Sequence, residues 1–158
     1  KIQKLIEEGR NLSLVSDAGT PGISDPGARL VSYLRENCTE INIIPIPGPS
    51  ALITALSASG LNANTFTYLG YPPHKKKRNK FFENLADIKI RPVIVYESPH
   101  RLQKTLDNLN QVFDEGKEIA IFRELTKIHE DIWHGTILEA KTDFQNERLR
   151  GEFTIIIP

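Results

Sequence analysis

SDAGTPGISDPG, residues 16–27, lies between LSLV (12–15), which reads as a strand, and ARLVSYL (28–34), which reads as a helix. Those twelve residues hold three glycines, two prolines, three Ser/Thr hydroxyls and two aspartates. A plain connection in an α/β unit needs only about 2–6 residues. A turn this long and this constrained implies that it holds something. Strand, elaborate turn and helix together set the expectation of an α/β fold.

The same succession recurs along the chain. INIIPI (41–46) runs into PGPS (47–50) and then ALITALSASG (51–60), with Gly60 as a helix C-cap. PVIVY (92–96) runs into ESPH (97–100) and then RLQKTLDNLNQVF (101–113), which places Leu102, Leu106, Leu109 and Phe113 on one helical face. EIAIF (118–122) runs into RELTKIHEDI (123–132), where the pattern becomes irregular. Asp25-Pro26 and Ser98-Pro99 are good helix entries, because Asp and Ser cap and Pro suits the first helical position. FTYLGY (66–71) reads as a strand, and a helix is expected from about Arg78 to Ala86. IWHGTILEA (132–140) and GEFTIIIP (151–158) read as strands with no helix between them, so antiparallel pairing is expected. The polar connector after Gly60 reads as a domain boundary.

Bulk composition narrows the class. The hydrophobic fraction is 39% and the charged fraction 25%, as in globular proteins. Lys+Arg and Asp+Glu stand at 20 each, yet HKKKRNK (74–80) gathers five basic side chains into seven residues. The single Cys38 excludes an internal disulfide and fits a reducing, cytoplasmic setting. Four scattered histidines offer no metal-ligand spacing, so no metal is expected. No apolar run has membrane-spanning length, so no membrane association is expected. KIQKLIEEGRN (1–11) lacks signal-peptide character and reads as the tail of a helix; with no Met anywhere, the expectation is a chain that lacks its beginning. The first loop spaces its glycines as G-x-x-G-x-x-x-x-G, which matches neither the dinucleotide fingerprint nor the P-loop.

SDAGTPGISDPGARLV, IPIPGPSALITALSASGL, FTYLGYPPHKKKRNK, YESPHRLQKTL, FRELTKIHED and GEFT, in that order, resemble the tetrapyrrole-methylase superfamily. Within it they are most similar to the branch that modifies ribosomal RNA. The likeness spans roughly residues 10 to 158. The family's opening strand, its TPIGNL-type loop and its E-D-T-R motif have no counterpart here. The resemblance implies a two-domain α/β architecture, the first domain (1–62) truncated and the second (67–158) a mixed sheet with helices. It also implies a cofactor, S-adenosyl-L-methionine, in a cleft between domains, and a homodimer.

On that resemblance Asp17, Ala18, Gly19 and Thr20 line the cofactor site, joined by Ser50, Ala51 and Tyr96. The plainer readings are that Asp17 caps its turn and that PGPS is a Pro-rich helix start. Asp25 is assigned to capping. Glu97 ends a strand before a helix N-terminus, where a carboxylate is favoured without being catalytic. His100 and Arg101 oppose the dipole of that same helix and are candidates for binding RNA phosphate. Arg123 and Lys127 invite the same reading, against a plain solvated loop. Lys75, Lys76, Lys77 and Arg78 suit the phosphate backbone, because clustered cations release counterions from nucleic acid. Tyr71 and Phe81 flank them and could stack on an unpaired base, although Phe81 and Phe82 also suit a helix's core face.

The function implied is methyl transfer from S-adenosylmethionine to the ribose 2′-oxygen of a cytidine in 16S rRNA, with the small ribosomal subunit as partner. Positioning the oxygen about 3–3.5 Å from the methyl carbon is the main task. A general base would assist, with Glu124, Glu97 and His129 as unordered candidates. The alternatives are a precorrin- or porphyrin-type small-molecule methylase of the same fold, or a non-catalytic RNA-binding fragment. The exposed basic strip favours RNA over a macrocycle.

Overall fold

The computed structural model describes residues 1–38 and 40–158. They form two compact units, Lys1–Ser50 and Ala51–Pro158. The division falls at Ser50, ahead of helix Ala51–Ala58, whereas the sequence places the boundary in the connector after that helix.

In the first unit, helix α1 (Ile2–Glu7) closes toward Gly9, whose φ of 73° lies in the left-handed region. Helix α2 (Gly27–Asn37) follows the long turn. Tyr33 of α2 donates its hydroxyl to Gln3 Oε1 at 2.9 Å and so ties the two helices together. The strands expected at 12–15 and 41–46 are not formed. A strand needs a partner for its N–H and C=O groups, and no ladder involves either segment among the described residues. Their apolar side chains stand open to solvent, with Val15 82% and Ile46 76% exposed.

The second unit is a mixed sheet between helices. In chain order its elements are α3 (Ala51–Ala58), β1 (Thr67–Tyr68), α4 (Arg78–Asp87), β2 (Val93–Glu97), α5 (Leu102–Val112), β3 (Glu118–Arg123), β4 (Asp131–Thr136), α6 (Ile137–Asp143) and β5 (Phe153–Ile157). The spatial order is β1-β2-β5-β3-β4. Only β1 and β2 run parallel; β2–β5, β5–β3 and β3–β4 are antiparallel, as expected for the tail, although α6 lies between β4 and β5.

Period-two alternation sends the strands' side chains to two cores. Val93, Val95, Ile119, Ile121, Phe153 and Ile155 pack beneath α4, α5 and α6. Ile94, Ala120, Phe122 and Ile156 face α3 through Leu52, Ala55 and Leu56. Burial on both faces explains why β2 and β5 read as unbroken apolar runs. Each Val, Leu, Ile or Phe side chain among them contributes about 1.5–3 kcal/mol when fully buried.

A further segment corrects the sequence reading. Residues 137–140, expected as the end of a strand over 132–140, instead begin α6. Thr136 Oγ1 accepts the Glu139 N–H at 3.2 Å, and Glu139 Oε2 accepts the Thr136 N–H at 2.8 Å. This capping box, T-x-x-E, outweighs the strand propensity of the neighbouring Ile and Leu.

Candidate functional site

In the first unit two loops meet. Ser16 Oγ lies 3.2 Å from Ala18 O and 3.0 Å from Gly19 O, folding the turn back on itself. Gly19 takes a φ of 71°, which a side chain would resist. Thr20 then donates its hydroxyl to Pro49 O at 3.0 Å. The 16–27 turn and the PGPS loop therefore build one wall, a convergence that no local spacing could have revealed. Asp17 and Ala18 are exposed on this wall, while Thr20 and Ser50 are half-buried. Asp25 points inward instead: its Oδ1 accepts the N–H groups of Gly22 (3.0 Å) and Gly27 (2.8 Å) and organises the entry to α2. Pro26 itself holds the cap position, one residue later than expected.

In the second unit the functional candidates gather at one edge of the sheet. Glu97, Phe153, Arg123 and Asp131 stand in register across β2, β5, β3 and β4. Tyr96 sits just inside that edge, and its hydroxyl accepts the Leu52 N–H of α3 at 3.0 Å. Burial pushes the Tyr96 phenol up to about 12, so it stays neutral in solution. Ala51, the first residue of α3, is exposed.

Glu97 is fully committed. Its Oε1 meets Arg101 Nη2 at 2.7 Å and accepts the Ser98 N–H at 2.7 Å. Its Oε2 accepts the Thr105 hydroxyl at 2.6 Å and lies 3.7 Å from Arg78 Nη2. Arg78 has thereby left the basic strip: its side chain is 3% exposed, and Nε donates to Asn108 Oδ1 at 2.8 Å. Burial lowers the Arg78 pKa, and the Glu97 carboxylate opposes that shift. Thr105 and Asn108 were missed from sequence. The available signal was Thr105, a polar residue on the same helical face as Leu102, Leu106 and Leu109.

Beyond β3 lies a cavity of about 320 Å³ lined by Arg123, Glu124, His129, Arg148 and Arg150 among others. The two arginines from the tail were also missed, because only the β3–β5 pairing brings them beside residues 123–129. Glu124 takes a φ of 50° and Thr126 a φ of 64°, both unusual for residues with side chains. Lys127 Nζ bridges Glu124 Oε1 and Glu152 Oε2 at 2.9 Å each. That ammonium holds the Glu124 carboxyl below its usual range, and the two carboxylates raise Lys127 in turn. Gly151 fits against Glu124 only because it has no Cβ, which would collide with the Glu124 side chain. Arg123 donates through Nε to Arg150 O at 2.7 Å.

Lys75, Lys76 and Lys77 are exposed at the entry to α4, and His100 is exposed in the turn before α5. Arg101 is largely covered, with its side chain 14% exposed. Among the described residues no group of three or more His, Cys, Asp or Glu is arranged to hold a metal. Among the described residues no helix is long and apolar enough to cross a membrane.

Comparison with known proteins supplies the context. The family described as Tetrapyrrole (Corrin/Porphyrin) Methylases matches residues 1–141. A Synechocystis sp. protein named ribosomal RNA small subunit methyltransferase I is 43% identical, covering 96% of this chain and 54% of the relative. Proteins of the same name from Bacillus subtilis (40% identical, 99% of this chain, 53% of the relative) and Thermotoga maritima (36%, 99% and 69%) are also similar. The chain thus spans about half the length of the Synechocystis and Bacillus relatives. Among solved structures, the methyltransferase CobJ has a TM-score of 0.72 at 20% identity, covering 98% of this chain and 66% of its own. Cobalt precorrin-4 methyltransferase has a TM-score of 0.71 at 18% identity, covering 99% and 67%. At those identities the structures speak for the fold.

Proposed function

The chain belongs to the tetrapyrrole methylase family, and from that premise we propose that it serves S-adenosylmethionine-dependent methylation of small-subunit ribosomal RNA, with the ribose 2′-oxygen of a cytidine as acceptor. The observation that carries this reading is the shared name of relatives about 40% identical across nearly the whole chain. The basic strip at Lys75–Lys77 and the arginines beside the 320 Å³ cavity support an RNA substrate, because they suit a polyanionic backbone.

S-adenosylmethionine, when bound, supplies an electrophilic methyl group on a sulfonium. The first-unit wall fits such a group: Gly and Pro backbone lies open, and the exposed Asp17 carboxylate suits an ammonium or ribose hydroxyls. Asp17, Ala18, Gly19, Thr20, Ser50, Ala51 and Tyr96 are proposed as the cofactor contacts. The family's domain division is proposed to lie in the connector between residues 62 and 67, and the working form to be a cytoplasmic homodimer.

Three groups compete for the proton of the attacking hydroxyl. Glu97 is saturated by arginines and hydroxyl. Glu124 is held ionised by Lys127 and is a weakened base. His129 is exposed beside the cavity and is the proposed general base. Arg123, Lys127 and His100 are proposed to steer RNA phosphates.

The test supplies labelled S-adenosylmethionine to the protein with small ribosomal subunits lacking the modification, and in parallel with precorrin-type macrocycles. Label in 16S rRNA is expected, with His129→Ala lowering kcat about 100-fold or more. Label only in the macrocycle would reassign the protein to small-molecule methylation.

A further inference from the structure

The turn between β1 and α4 carries Tyr71, a residue 46% exposed. One side of that ring rests on Tyr96, with centroids 5.6 Å apart, and Tyr96 in turn meets Tyr68 at 5.1 Å. The backbone beneath is pinned from several directions. Gly70 O accepts the Tyr96 N–H at 2.9 Å, extending the β1–β2 pairing by one step. Pro72 O accepts from Arg101 Nη1 at 2.8 Å, and Pro73 O accepts from Arg78 Nη1 at 3.0 Å. Both arginines converge on the buried Glu97 carboxylate. One carboxylate thus fixes two guanidinium groups, and these grip two consecutive carbonyls directly after Tyr71.

An aromatic ring held this way has little conformational entropy left to lose when a planar group stacks on it. The exposed lysines 75, 76 and 77 follow within six residues, so Lys75 lies no more than about 14 Å from Tyr71 along the chain. A stacking ring beside clustered cations is the combination that binds unpaired nucleotides. Glu97 and Glu152, the carboxylates that act on the Tyr71 phenol, are each paired with a cation, so neither presents a lone charge to a phosphate.

We propose that Tyr71 is a stacking platform for an unpaired base of the RNA substrate, and that Glu97 is the positioning residue that holds it there through Arg78 and Arg101. This rests on the RNA reading above and gives it a contact point. Phe81, the other aromatic flanking the basic run, packs on Phe82 at 5.3 Å and against the core. The adenine of the cofactor is a poorer occupant, because S-adenosylmethionine carries no phosphate for the adjacent lysines to neutralise.

The experiment measures binding of a single-stranded 16S rRNA segment containing 2-aminopurine, read by fluorescence quenching across a salt series, with S-adenosylhomocysteine affinity measured alongside. Tyr71→Ala is expected to weaken RNA binding roughly 10- to 100-fold, to abolish quenching, and to leave the salt slope and S-adenosylhomocysteine affinity unchanged. Tyr71→Phe should retain both affinity and quenching. Glu97→Gln, or Arg101→Gln should the first fail to fold, should reproduce the Tyr71→Ala phenotype and add nothing to it in the double variant. Additive losses would reduce Glu97 to a structural role. Wild-type RNA affinity in Tyr71→Ala, or a loss confined to S-adenosylhomocysteine, would overturn the platform. Failure of the underlying reading looks different: the wild-type protein itself would show no salt-dependent affinity for RNA.

Discussion

The two units treat the same kind of sequence in opposite ways. In the second, PVIVY and TIIIP become adjacent strands whose Val93, Ile94, Val95, Ile155, Ile156 and Ile157 are wholly buried. In the first, LSLV and INIIPI are just as apolar, yet they form no ladder among the described residues, and Val15, Ile44 and Ile46 are more than 70% exposed. An apolar β-branched run states a preference for pairing, and whether it pairs depends on strands elsewhere in the chain. The loops differ in the same sense. The first unit's turn is held by hydroxyl and carboxylate bonds to backbone, whereas the second unit's is held by a buried ion cluster.

The sharpest way to break this comparison is at Glu97. Replacing it with Ala strands Arg78 and Arg101 and should cost about 3–5 kcal/mol, read by urea denaturation of the second unit. Asp17→Ala on the first unit's exposed turn should stay within about 0.5 kcal/mol. Equal effects would mean that the two loops are held alike.

A second contrast uses the strands. Ile94→Ala should cost about 2–5 kcal/mol through lost burial and a cavity, whereas Ile46→Ala should stay within about 0.5 kcal/mol in the same denaturation assay. A large loss at Ile46 would show that this segment is packed after all.

The smallest effect is pH-dependent and lies at the Glu124–Lys127 pair. The folded pKa of Glu124 is depressed, so its contribution is present above the ordinary carboxylate value near ~4.3 and is lost as pH falls through the lower folded value. The folded pKa of Lys127 is raised, so its contribution persists below the ordinary ammonium range and is lost only as pH rises through the elevated folded value. With Lys127 half-exposed, the pair contributes about 1 kcal/mol or less. The Glu152 N–H donates to Glu124 Oε1 at 2.9 Å, so its hydrogen-exchange protection factor should fall on acidification below that carboxylate value, and Lys127→Met should flatten the dependence.

Much of the second unit was legible in the sequence. Leu102, Leu106 and Leu109 announced the buried face of α5, and Gly60 its place after α3, because those signals are local. The α6 helix was legible too, in Thr136 and Glu139, but the strand-like residues around the capping box obscured it. Arg78 was not legible. A basic residue inside HKKKRNK looks solvated until β2 and α5 bring Glu97, Thr105 and Asn108 around it. The meeting of Thr20 with Pro49 likewise depends on contact across 29 positions. Local pattern reveals elements, and partners far along the chain decide which charges are buried.

The proposed assignment of cofactor and RNA contacts is tested most directly by hydrogen-exchange mapping with each ligand in turn. Single-stranded 16S rRNA should protect residues 69–77 and 123–130, and S-adenosylhomocysteine should protect residues 17–20 and 48–51. Protection of 17–20 by RNA together with no RNA effect at 69–77 would contradict the account.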